Sequence, residues 1–319
     1  MTFSIVARDP ASGDLGVAVA SRFLAVGGVV PFAAAGVGAV ATQAHANVLY
    51  GPRGLELMAG GMTAEQALAD LVADDGLRDE RQVGLVDGGG LSATFTGGHC
   101  FAWAGGRTGP GLAVQGNILA RAEVVDDMYE TFTAAGRPFP ELLVACLAAA
   151  EQQGGDRRGR QSAALLVVRA AGGYGGGNDR WIDLRVDDHR RPVSELARLL
   201  ALHRLYLNRP LPEELMAVDD ALAAELRTLL ATVNRTPGRQ VPIYERMGNV
   251  PVAEEEASRV GESRSLPFGW DDAWQSTLES WMSIENLEER LAAPGWIDPV
   301  VLGYLRQSAA GAGEARSHG

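Results

Sequence analysis

The chain has no lysine: all 28 of its Lys+Arg positions, in 319 residues, are arginine. That absence excludes a Schiff-base lysine, a Ser-Lys dyad and a Walker-type phosphate loop. The glycine-rich stretches Gly36-Val37-Gly38 and 105–111 are therefore not nucleotide cradles. Any base must be a histidine, a carboxylate or an amino terminus. A net charge of −12 argues against a nucleic-acid partner, because counterion release needs a basic face. Two cysteines, Cys100 and Cys146, are too few for a disulfide framework and read as reduced, packed thiols. No apolar run reaches the length of a membrane span, and no basic segment precedes an apolar stretch at the start. We therefore expect a cytoplasmic protein with neither a membrane helix nor a signal peptide. GxGxxG is missing, which excludes the common dinucleotide fingerprint. The histidines lack ligand spacing, and Asp187-Asp188-His189 is a weak metal candidate. No cofactor and no metal are expected.

What the chain does have is a threonine in second place. With Met1 removed, Thr2 carries a hydroxyl and a free α-amine on one residue, a nucleophile with its own base. An α-amine titrates near ~7.7–8.0, so much of it is neutral and able to take a proton near neutral pH. Many chains that begin Met-Thr make no use of the pair, so the surrounding sequence must support it.

Residues 2–8 alternate as a strand, 9–14 have turn chemistry, and Leu15–Ser21 is a second strand with small apolar residues on both faces, as in a sheet covered on both sides. Residues 29–43 are extended and interrupted by glycine. Pro52 suits the first turn of a helix over 53–59, and Thr63 caps a helix through Ala73. A hairpin spans 82–96 around Gly88-Gly89-Gly90, with strands at 100–104 and 111–115. Helices are expected at 118–134 and 138–153, strands at 162–169 and 181–186, and a helix from Pro192 to Tyr206. Strands first and helices later favour two strand layers with helices outside. Prolines at 210 and 212 mark a domain boundary, giving domains 1–209 and 210–319. The second domain carries a helix over 213–232, an irregular stretch 233–268 with the acidic patch Glu254-Glu255-Glu256, and the core tryptophans Trp270, Trp274, Trp281 and Trp296. Its tail, from Ser308, is small and polar and reads as flexible.

Several separated segments match one known family in order: TFSIVARDP, GDLGVAVASRF, GVGAVATQAHAN followed by YGPRGL, RTGPGLAVQGN, and GGDRRGRQSAALLVV followed by DLRVDDH. On these the chain resembles domain of unknown function 1028 over residues 2–208, a family whose fold looks like that of N-terminal nucleophile hydrolases. The resemblance implies an α+β fold, a four-layer αββα sandwich with residue 2 at its active centre, joined here to a small mostly helical C-terminal domain. In proteasome-like threonine hydrolases, too, the chain begins with Thr on the first strand. Ser21 and Arg22 fall where that group places a carboxylate and nearby polar residues. The group's activating lysine has no counterpart, so either Arg22 supplies positive charge or the site is degenerate. Arginine stays protonated and cannot act as a base. The tract from Trp270 through residues 284–290 to 297–302 is similar to a module named for peptidoglycan binding.

The residues that fit such a site are Thr2, Ser21, Arg22, Gln43, Gly116 and Asn117 as catalytic candidates. The oxyanion hole comes either from backbone around Thr42-Gln43-Ala44 or from Gln115-Gly116-Asn117. His45, Asn47, Arg53, Arg107, Arg160 and Gln161 are substrate-binding candidates; the arginines suit a carboxylate on a small-molecule or peptide-like substrate. Arg157 and Arg158 read as a solvated charged loop. Two functions stay open: a hydrolase of a small amide, peptide or related acyl bond, or a non-catalytic binding or structural protein whose C-terminal domain contacts a glycan or protein. A homo-oligomer is expected in either case.

Overall fold

The computed structural model describes residues 2–233 and 259–317. The patch Glu254-Glu255-Glu256 lies outside the described residues. The chain forms two compact units, divided between Ala201 and Leu202.

In the first unit the strands are β1 (Thr2–Arg8), β2 (Leu15–Ser21), β3 (Pro31–Ala34), β4 (Gly38–Ala44), β5 (Arg81–Asp87), β6 (Ser92–Thr96), β7 (Gly105–Gly109), β8 (Leu112–Asn117), β9 (Ser162–Val168) and β10 (Arg180–Val186). They make a six-stranded sheet in the order β10-β9-β2-β1-β8-β7 and a four-stranded sheet in the order β3-β4-β5-β6. All neighbouring pairs are antiparallel. The helices are α1 (Tyr50–Ala59), α2 (Ala64–Ala73), α3 (Glu123–Thr133), α4 (Phe139–Gln152) and α5 (Pro192–Leu207), whose residues from Leu202 onward belong to the second unit.

Strand periodicity explains how the layers are held. Phe3, Ile5 and Ala7 of β1 share a core cluster with Val124 and Met128 of α3 and Leu143 and Leu147 of α4. Val6, between them, points the other way, into a cluster with Ala39, Ala41 and Val86 of the four-stranded sheet. A third cluster joins Val40, Val83 and Leu85 to Met58 of α1 and Leu71 of α2. Gly16 lets α4 lie flat on β2, since a Cβ there would sit 2.6 Å from the Leu143 Cδ1. Thr63 caps α2 with a full capping box closed by Gln66.

Several local expectations need correction. The segment 100–104 is a loop, and the strand lies at Gly105–Gly109 instead. Glycine lowers strand propensity, yet pairing with β8 provides the ladder that intrinsic preference does not. α1 starts at Tyr50, before Pro52. α3 starts only at Glu123, because Ile118 takes a left-handed backbone with φ 47°.

The second unit holds α6 (Asp220–Val233), α7 (Asp272–Ile284) and α8 (Pro299–Ser317), with a short pair β11 (Met216–Ala217) and β12 (Trp296–Ile297). Its core packs Leu226, Leu230, Trp270, Trp281, Leu287 and Leu305. The helix expected over 213–232 begins at Asp220, behind a tight turn and β11. The tail from Ser308, expected to be flexible, continues α8 through Ser317, and Ala309 in it is buried. Buried Arg290 pairs with Asp298 and donates to the carbonyls of Arg204 and Leu205. Among the described residues no helix is long and apolar enough to cross a membrane. Cys100 and Cys146 are free thiols, and burial pushes the Cys146 thiol up to about 12.

Asp75 anchors the loop between β4 and α1. It accepts from Arg81 Nε (2.9 Å), Tyr50 Oη (2.8 Å) and the Leu77 amide (2.8 Å). The Arg81 hydrogen bond holds its carboxyl well below the usual carboxylate range. A depressed folded value stabilises the protein above the unfolded value, and that stability is lost as pH falls from about 4 toward the depressed value. Asp75→Asn should cost about 3 kcal/mol at pH 7, because it leaves the Arg81 guanidinium buried without its counter-charge. Urea unfolding should show the gap between wild type and variant shrinking as the pH is lowered below 4.

Candidate active site

Thr2 begins β1 inside the six-stranded sheet. Its register partners are Ser21, the last residue of β2, and Asn117, the last residue of β8. A residue flanked on both sides in this way is buried from its first atom; Thr2 is 6% exposed. Its Oγ1 lies 3.1 Å from the Ser21 Oγ, a hydrogen bond in which either hydroxyl can donate.

Facing this end of β1 across the sheets is a closed set of side-chain amides. Gln43 Nε2 donates to the Thr2 carbonyl (3.3 Å) and to Gln82 Oε1 (2.8 Å). Gln43 Oε1 accepts from the Ser4 hydroxyl at 2.7 Å. Asn117 Nδ2 also donates to Gln82 Oε1 (2.9 Å), and Gln82 Nε2 donates to the Gly116 carbonyl (2.7 Å) and to Thr96 Oγ1 (2.9 Å). Gln115 Nε2 donates to Ser4 Oγ at 2.6 Å, and Gln115 Oε1 accepts from Thr94 at 3.3 Å. Gln82, Gln115 and Ser4 are fully buried, so each must find its partners inside the protein. Gly84 leaves the room: a Cβ there would lie 2.1 Å from the Gln115 Oε1. Both amide hydrogens of Gln43 are committed, so its side chain positions Thr2 rather than meeting a substrate.

The chain leaves both sheets abruptly beside Thr2. Ala44 has φ 69° and Ile118 has φ 47°, each one residue past Gln43 and Asn117. A left-handed backbone is costly for a β-branched residue, and such outliers cluster where the surrounding structure over-determines them. Ile118 is held by its amide donating to the Phe101 carbonyl (2.8 Å) and by its carbonyl accepting from Arg157 N (3.3 Å). On the β2 side, buried Asp156 accepts from the Arg22 amide at 2.7 Å and from Arg158. The Gln161 amide donates to the Ser21 carbonyl at 3.1 Å.

The fold thus brings Thr2, Ser21, Arg22, Gln43, Gly116, Asn117 and Gln161 to one end of the sandwich. Arg160 pairs with Glu151 at 3.3 Å beside a cleft of about 10 Å³ lined by Phe3, Ser21 and Asp156. Burial raises the Glu151 carboxyl, with Arg160 pulling it down. Among the described residues exposed His45 contributes only backbone bonds, and the Asn47 side chain is held by the Leu49 amide and Asp75. Arg53 pairs with Asp70 on the outer face of the helices. Arg107 pairs with Asp126 and stacks on Tyr129, opposite Val114 rather than Asn117. Neither reaches Thr2. Sequence reasoning named Asp156 only as part of an arginine cluster and gave Gln82 no role; a glutamine immediately before the Val-Gly-Leu-Val strand sequence was the available signal for Gln82. Among the described residues no group of three His, Cys, Asp or Glu side chains is placed to hold a metal.

Residues 2–196 match the model of a family of unknown function, DUF1028. The chain belongs to that family. The chain is also similar to a crystal structure of protein SPO2555 from Silicibacter pomeroyi, described under the same family. The two are 32% identical with a TM-score of 0.58, over 64% of this chain and 89% of the other. A second model, described as "Putative peptidoglycan binding domain", matches residues 246–305 beyond the DUF1028 region. No curated protein matches the chain significantly.

Replacing Gln82 with leucine removes the acceptor of two buried donors and the donor to the Gly116 carbonyl. Each orphaned group costs about 1–3 kcal/mol, so Gln82→Leu should lose about 3 kcal/mol in urea unfolding. A loss under about 1 kcal/mol would mean that the amides re-pair without their hub.

Proposed function

We propose that this chain is an N-terminal nucleophile amidohydrolase on a four-layer αββα sandwich, with Thr2 as its nucleophile. The observation that carries this reading is the Thr2 hydroxyl, buried at the head of a central strand, 3.1 Å from the Ser21 Oγ. Its carbonyl is meanwhile held by Gln43. Once the Met1–Thr2 bond is cleaved, the Thr2 amine takes the hydroxyl proton as Oγ1 attacks the carbonyl of a small amide, peptide or related acyl bond. Backbone N–H groups where β4 or β8 ends meet the oxyanion. Collapse of the tetrahedral intermediate releases the amine leaving group, protonated by the Thr2 ammonium, and leaves an ester on Thr2. Water then hydrolyses the ester to a carboxylic acid and restores the hydroxyl. Ser21 orients Oγ1, and Arg22 supplies the positive charge that a lysine supplies elsewhere.

A second reading is favoured by the absence of lysine and by the mutual saturation of the amides around Thr2: a binding protein on the same fold, without turnover. The match to a peptidoglycan-binding model supports a glycan as the partner of the second unit in either reading.

Mass spectrometry of the N-terminal peptide, before and after exposure to an acylating or boronate probe, separates the two. We expect a free Thr2 that labels only in the folded protein. Thr2→Ala should cut labelling on the order of 10³-fold or more. A retained Met1 would block the amine base and leave the binding reading.

A further inference from the structure

Phe23, Leu24, Val48, Leu49 and Phe101 are exposed, Phe101 by 74% and Leu49 by 67%. All five lie on loops that leave the sheets beside Thr2. Phe23 is two residues past Ser21. The Phe101 carbonyl is bonded to the amide of Ile118, one residue past Asn117. Ser21 and Asn117 flank Thr2 on its two neighbouring strands, so their backbones stand about 10 Å apart, two strand spacings. Val48 and Leu49 follow β4, the strand whose Gln43 holds the Thr2 carbonyl from the facing sheet. Three loops carrying exposed apolar residues therefore leave the sheets at the end where β1 begins.

These loops are held in place by buried polar groups. Ser162 accepts from the Val26 amide and donates to the Phe23 carbonyl. Asp75 and Arg81 tie down the loop carrying Val48 and Leu49. The Cys100 thiol and the Ile118 and Leu119 amides fasten the loop carrying Phe101. Large apolar side chains fixed in water gain nothing for folding, and such patches mark binding surfaces. Charges of both signs lie beside them: Asp187 and Asp188 are exposed next to the Phe23 loop, where the Ala25 amide donates to the Asp187 carbonyl, and two arginines stand on the other side. Arg22 and Arg157 are exposed, and neither guanidinium has an ion-pair partner among the described residues, whereas Arg158 and Arg160 are engaged by Asp156 and Glu151. The Arg157 amide is bonded to the Ile118 carbonyl, at the same end.

From this we infer that the Thr2 site takes a short apolar peptide or N-acyl amino acid with a free carboxylate. Its side chains lie on the Phe23, Leu49 and Phe101 rim, and its carboxylate is gripped by Arg22 and Arg157. As a substrate class this rests on the hydrolase reading; as a ligand class it is tested without turnover.

The test is calorimetric binding of N-acetyl-phenylalanyl-leucine, its C-terminal amide and N-acetyl-seryl-serine to the full chain. The free acid should bind at least tenfold more tightly than the amide, and the serine analogue should not bind. Arg157→Gln, on an exposed loop, should bring the acid-to-amide ratio near one, and Phe101→Ser should weaken acid and amide alike. Equal binding of acid and amide, binding of the serine peptide as tight as that of the apolar one, or no binding at all overturns the inference. Labelling of Thr2 by a small uncharged acylating probe reports separately on the chemistry. Labelling without ligand discrimination leaves the hydrolase reading standing and this inference overturned. Discrimination without labelling does the reverse.

Discussion

Strand β1 has no free edge, because β2 and β8 pair with it from its first residue. A polar residue at its head is therefore removed from water, and every hydrogen-bonding group around it needs an internal partner. The structure meets this constraint with amides that satisfy one another: Gln43 and Asn117 both converge on Gln82, while Ser4 links Gln43 to Gln115. Such a set tolerates little change, since an amide that loses its partner is stranded in a region of low dielectric. It also demands close approach of the two sheets, which a glycine at position 84 permits. The orientation of Thr2 is a by-product of this closure.

An arginine-only chain handles charge differently from one with lysines. Guanidinium groups keep their proton and present several donors in one plane, so they anchor loops and grip carboxylates but take no part in proton transfer. Buried and half-buried carboxylates organise the surroundings here. Asp75 gathers Arg81, Tyr50 and a backbone amide, Asp156 gathers Arg22's amide and Arg158, and Asp14 takes a bidentate bond from Arg169.

The second unit shows a different economy. Its aromatic side chains pack on one another, with Trp281 against Tyr304 and Trp270 against Trp274. Its buried charges include Arg290, which pairs with Asp298 and caps two carbonyls, and Glu285, which accepts from the Tyr304 hydroxyl at 3.1 Å. The second family model, over residues 246–305, covers part of this core, which α6 completes from outside the match.

Much of this was written locally. The alternation over residues 2–8, the turn at 9–14, the small residues of 15–21 and the Thr63 cap each determine an element from a few neighbouring residues, because strand and cap preferences act over short range. The excluded chemistries also follow from sequence, since a missing lysine is missing in any fold. Tertiary structure alone decided which polar residues meet. Gln82 joins Gln43 and Asn117 through pairing between segments some 40 residues apart, and no local pattern carries that information. It also decided that 105–109 pairs as a strand while 100–104 does not, because the ladder with β8 outweighs the poor strand propensity of glycine. Arg53 and Arg107 looked like Arg22 in sequence. Only the fold shows that helix and strand geometry turns the first two outward to carboxylates on neighbouring helices and leaves Arg22 beside Thr2.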